Sequence, residues 1–138
     1  MTETQKQIVI DAANATLGRL SSYAAKQLLL GKKLEIVNCN KAIILGNVDS
    51  IKTHYQKLRK RGGSSLKGPF FPKSPEKIVK RTIRGMLPDY RTGRGVKALT
   101  NVRCYNEIPP ELEKIKKISS GKNKLGRKIT LAELSRVI

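Results

Sequence analysis

The first apolar run, Ile8-Val9-Ile10-Asp11-Ala12, is short and bounded by polar residues. That pattern predicts a strand buried on both faces, as in a parallel or mixed sheet. After a turn at residues 14–16 the period changes. At about 100° per residue, Leu17, Leu20, Ser21, Ala24, Ala25 and Leu28 share one helical face and Arg19, Ser22 and Lys26 the other. Gly31 is placed to stop that helix. Residues 34–38 read as a second strand, and 42–45 as another short apolar segment ending at Gly46-Asn47. Strand, helix, strand in that order is a βαβ unit, which marks an α/β fold.

A second helix is expected over residues 49–61, with Val48, Ile51, Tyr55 and Leu58 on one stripe and a basic exit at Lys57, Arg59, Lys60 and Arg61. Residues 62–74 lack periodicity and are rich in Gly, Ser and Pro, so they read as a surface loop that orders on a partner. Ser74, Pro75 and Glu76 form a helix start. In that helix Ile78, Val79, Thr82, Ile83, Met86 and Leu87 gather on one side, while Lys77, Lys80, Arg81 and Arg84 occupy the opposite arc. Gly85 interrupts it at a cost of about 1 kcal/mol against Ala, which predicts close packing or unwinding before Pro88. A short helix over 95–100 and a strand over 102–105 close the core. Beyond Pro110 comes a Lys-rich extension, and Thr130 and Glu133 form a capping box for a final helix. The expected division is an α/β core over 1–108 and an extension over 109–138.

Charge sharpens this picture. The 138 residues hold 29 Lys and Arg against 10 Asp and Glu, a formal charge of +19. Residues 52–103 alone carry 15 basic groups against 2 acidic ones. So concentrated an excess calls for a polyanion, and nucleic acid is the natural one. There is no lipidation signal, no secretory leader and no run of 18 apolar residues, so no membrane partner is expected. Cys39 and Cys104 stand far apart in sequence, outside any metal-binding pattern, and read as reduced thiols of a cytoplasmic protein.

Chemistry-bearing motifs are weak. The first strand-turn-helix has Gly18 but no G-x-G-x-x-G, so no dinucleotide or other cofactor is expected. His54, the single histidine, has no nucleophile or acid beside it in sequence. Asp11, Asp49, Glu76 and Asp89 are scattered singly, giving no paired acid and base, no metal site and no small-molecule chemistry. An enzyme is not expected. The basic stripe, by contrast, recurs, and the expected RNA-binding set is Lys57, Arg59, Lys60, Arg61, Lys67, Lys73, Lys77, Lys80, Arg81, Arg84, Arg91, Arg94 and Lys97. With aromatics at 4% and no RNP or GXXG pattern, such a protein reads RNA shape and backbone.

Four stretches carry a resemblance: VIDAANATLGRLSSYAAKQLL at 9–29, RGGSSLKGPFFPKSP at 61–75, KIVKRTIRGMLPDYRTGRG at 77–95 and VRCYNEIPP at 102–110. In order and spacing they resemble the large-subunit ribosomal protein thirteen family, on its archaeal and eukaryotic branch. The run at 84–88, with Gly93-Arg94 beyond it, is the specific part. The resemblance implies a three-layer α/β/α domain with a central, mostly parallel four-stranded sheet. It also implies a structural role on large-subunit rRNA beside neighbouring ribosomal proteins, with no catalysis. A free regulator of messenger RNA is the alternative reading.

Overall fold

The computed structural model describes residues 6–61, 71–119 and 126–138. Its framework is a four-stranded sheet in the order β4-β2-β1-β5, from β1 (Gln7–Asp11), β2 (Lys33–Val37), β4 (Val102–Cys104) and β5 (Lys117–Ser119). All three pairings are parallel. Parallel neighbours need a crossover, and α1 (Leu17–Leu29) supplies it between β1 and β2.

Alternation along the strands decides where the core sits. Ile8, Ile10, Leu34, Ile36 and Val102 share one face in register and are buried. Against them pack α1, α3 (Pro75–Met86) and α4 (Gly93–Thr100), with Leu20, Leu28, Ile78, Val79 and Ile83 in one apolar cluster. Burying each such side chain contributes about 1.5–3 kcal/mol. The other face presents Val9 and Val37, covered by Leu112 of a 3-10 turn (Pro110–Leu112) together with Tyr105 and Ile108. β1 is thus buried on both faces, as its apolar run predicted.

The six residues expected on the inner face of α1 are all buried, and Gly31 adopts a φ of +86° where the helix stops. The segment at 42–45 behaves differently from a core strand. As β3 (Ile43–Leu45) it leaves the main sheet and pairs antiparallel with β6 (Lys128–Thr130). The fourth position in the main sheet goes to β5 instead. The described parts of the expected extension, residues 109–119 and 126–138, therefore enter the body: Leu112, Ile129, and Leu131 and Leu134 of α5 (Leu131–Val137) are buried. Thr130 caps the helix as expected, the Glu133 N–H donating to its Oγ1 at 3.3 Å, which is one half of the capping box. Apolar spacing on so short a helix was legible; its docking partner, the chain's own core, was not.

Three further expectations gain detail, and one of them, for Met86, is corrected. The Ser74 hydroxyl occupies the N-cap of α3 but donates to Glu76 Oε1 at 3.3 Å, while Asn106 Oδ1, from the loop after β4, accepts the Glu76 N–H at 3.1 Å. Met86 is not in the core. The last turn of α3 lies along the outer flank of α1, leaving Met86 exposed beside Ser22, Lys26, Leu29 and Leu30. The two cysteines meet in space: a hydrogen bond to Cys104, together with burial, pushes the Cys39 thiol above its ordinary range.

Candidate nucleic-acid interface

The outer face of α3 is built by simple helical geometry. Burial of Ile78, Val79 and Ile83 turns Lys77, Lys80, Arg81 and Arg84 outward. Lys77 and Lys80 are exposed, and Arg81 and Arg84 are half-buried along their stems. These four side chains, with Pro72 and Leu99, line a cleft of about 290 Å³ between the start of α3 and α4. Arg81 and Arg84 also form one wall of a second hollow, of about 380 Å³, closed by Leu87, Asp89 and Tyr90. The two hollows share those arginines.

Aromatic rings organise the guanidinium groups. Arg81 stands over the Phe71 ring at 5.0 Å, and the edge of Tyr55 meets the same ring at 5.2 Å. Arg59 Nη1 donates to the Phe71 carbonyl oxygen at 3.3 Å. Phe71 thereby ties α2 (Val48–Lys60) to α3. Beyond Pro88, Tyr90 does the same for the next pair, with Arg84 at 4.7 Å and Arg91 at 5.4 Å from its ring centroid. The Arg91 guanidinium donates to the Tyr90 hydroxyl, which pulls the phenol below its ordinary range and raises the arginine further.

Not every basic residue of the expected set joins this group. Lys73 is exposed just ahead of α3, and Arg94 and Lys97 are exposed on α4, which borders the cleft through Leu99. Lys57 lines a different hollow, with Asp49, Ser50, Thr53 and His54. Lys60 and Arg61 are exposed at the end of α2. Lys67, with the loop residues 62–70, lies outside the described residues. Among the described residues no group of three or more His, Cys, Asp or Glu side chains gathers in a metal-binding arrangement, and no helix is long and apolar enough to cross a membrane.

Sequence reasoning missed Phe71 and Tyr90. Scarcity of aromatics argued against stacking, yet the two rings sit where arginines concentrate. The available signal was local: Tyr90 adjoins Arg91 and lies six residues after Arg84, just beyond the end of a helix. It also missed Gly95. A Cβ there would overlap the carbonyl oxygens of Pro88 and Asp89, so only glycine lets α4 press against that turn.

Comparison with known proteins gives a uniform result. The family model described as Ribosomal protein L13 matches residues 5–111. The large ribosomal subunit protein uL13 of Archaeoglobus fulgidus is 43% identical over 136 residues, covering 94% of this chain and 86% of that protein. Its counterpart in Thermoplasma acidophilum is 44% identical over 131 residues, covering 93% and 95%. That of Methanosarcina barkeri is 47% identical over 106 residues, covering 76% and 74%.

Proposed function

Because the chain belongs to the ribosomal protein L13 family, we propose that it is a structural, non-catalytic constituent of the large ribosomal subunit that grips folded rRNA through the α3 and α4 surface. The observation that carries this reading is the shared position of Arg81 and Arg84 between two hollows, with Lys77 and Lys80 alongside. Four cations on one helix face repel each other in the free protein and are relieved when phosphates replace that repulsion. Guanidinium groups suit the task because their planar fork can bridge two phosphate oxygens. Arg94 and Lys97 on α4 extend the strip, and Lys57, Arg59, Lys60 and Arg61 continue it along the end of α2. Lys67, Lys73 and Arg91 complete the proposed set.

Binding of this kind works by counterion release. The logarithm of the affinity should fall linearly with the logarithm of salt, each phosphate contact adding about 0.7–0.9 to the slope. The core needs no cofactor for this, and its partners are large-subunit rRNA and the ribosomal proteins that flank it. The test is sedimentation of the tagged protein with large subunits of the source organism through a high-salt cushion. Co-sedimentation, together with a steep salt dependence on purified rRNA, is expected. Recovery only in the free fraction would overturn the ribosomal assignment, and a flat salt dependence would overturn the phosphate-contact surface.

A further inference from the structure

Gly85 is not explained by packing inside the fold. It lies in the last turn of a twelve-residue helix, where glycine is disfavoured. No packing inside the protein asks for it: the residue is exposed, and a Cβ built there would meet nothing within 4 Å. Of the two expectations at this position, close backbone packing does not hold within the chain itself, whereas the helix does end just beyond it, at Met86, before Pro88. Gly85 instead lines the second hollow, beside Arg84, Leu87, Asp89 and Tyr90.

That hollow is chemically distinct from the neighbouring cationic cleft. Tyr90 is 37% exposed, so its ring is not held for the core, yet it is backed by the Arg84 and Arg91 guanidiniums. Asp89 brings a carboxylate; its Oδ1 accepts the Arg91 N–H at 3.0 Å, and its second oxygen lies outside that bond. The Thr92 N–H donates to the Asp89 carbonyl at 3.4 Å, and α4 is pressed against this turn through Gly95. The backbone of this turn is thus braced against α4. Arg81 and Arg84 line this hollow as they line the cleft, but here the Asp89 carboxylate, with Leu87 and Pro88 beside it, offsets part of their charge and makes it the weaker of the two phosphate sites. A π surface, an acceptor and a floor without a side chain suit the face and edge of a planar ring.

Resting on the rRNA-binding reading above, we infer that this hollow takes one unpaired nucleobase, laid on the Arg84–Tyr90 stack with its exocyclic amino group toward Asp89. Bases are hidden inside an A-form helix, so the occupant comes from a loop, bulge or strand end. A carboxylate acceptor selects for an amino-bearing base, cytosine above all, over uracil. Gly85 is the clearance that lets the ring approach the helix.

The test uses the full chain and transcribed large-subunit rRNA, with affinity measured across a range of salt. Tyr90→Leu is expected to weaken binding about tenfold, within the range of one base–aromatic stack, with an unchanged salt slope and a melting temperature only slightly lowered by the loss of its exposed contacts to Arg84 and Arg91. Arg94→Gln should instead lower the slope by about one. Gly85→Ala should raise the melting temperature of the free protein and weaken rRNA binding. Base-specific chemical probing should find one unpaired, amino-bearing base protected by the wild type and reactive with Tyr90→Leu. If Tyr90→Leu binds as tightly as the wild type, if its affinity falls only in step with the slope, or if Gly85→Ala binds normally, the base pocket is wrong while rRNA binding stands. Wild-type binding that ignores salt would overturn the phosphate reading beneath it.

Discussion

Arg81 and Lys80 are neighbours on one helix with unequal roles. The Arg81 guanidinium covers Phe71 at 5.0 Å, whereas Lys80 is exposed on the rim of the cleft. Lys80→Gln should leave the melting temperature of the free protein unchanged or slightly raised, since it removes one charge from a strongly cationic face. Arg81→Gln also removes a cation–π contact, so it should cost about 0.5–1 kcal/mol in denaturant unfolding. Both should weaken rRNA binding. Ile83, fully buried between α1 and the sheet, makes the opposite contrast. Ile83→Ala should cost about 2–5 kcal/mol, with rRNA affinity of the surviving folded fraction intact. An unchanged melting temperature would mean the helix faces are reversed. Thiol chemistry offers a third check: Cys39 is buried and its thiol is held protonated by Cys104 and by burial. Alkylation of the native protein followed by peptide mapping should therefore label Cys104 well before Cys39.

At the scale of elements, the turn between α3 and α4 is the most constrained joint. Gly95→Ala places a methyl group against the Pro88 and Asp89 carbonyls, so α4 must move away and the Tyr90 turn with it. Loss of stability by well over 1 kcal/mol is expected, with weakened rRNA binding, by calorimetry and filter binding; a variant as stable as the wild type would show the joint to be loose. Helices with strong periodicity were readable from sequence because their faces answer to a local rule: the inner residues of α1, and Ile78, Val79 and Ile83 of α3, all fall where 3.6 residues per turn puts them. Short strands were readable only in part: β4 falls within the strand expected over 102–105, but three residues carry no period that says which sheet they join, so nothing marked Ile43–Leu45 for a second sheet or Lys117–Ser119 for the main one. Met86 followed its helix correctly and still missed the core, since it lies along the exposed flank of α1 beside Ser22, Lys26 and Leu29. The basic residues of the interface were legible as charge, while the rings that arrange them were not, since Phe71 and Tyr90 acquire their arginine partners only through tertiary folding.

For the whole molecule, the question is how far the body depends on its last thirty residues. Removing 109–138 would uncover Val9 and Val37 by deleting Leu112, strip β5 from β1, and take Leu131 and Leu134 out of the main core. The truncated chain should therefore be largely unfolded by circular dichroism, not a smaller stable domain; a cooperative melt near that of the full chain would contradict the packing described. The pairing of β1 with β5 also carries a consequence in time. On the translating ribosome the first strand emerges early, yet the residues that close its outer side are made more than a hundred positions later. Closure over so long a separation is slow, and meanwhile Val9 and Ile10 lie on an open edge able to template pairing with another nascent copy. The formal charge of +19 makes two such copies poor companions. The same surplus of cations that suits the finished protein to a polyanion keeps its unfinished form apart from its siblings until β5 arrives.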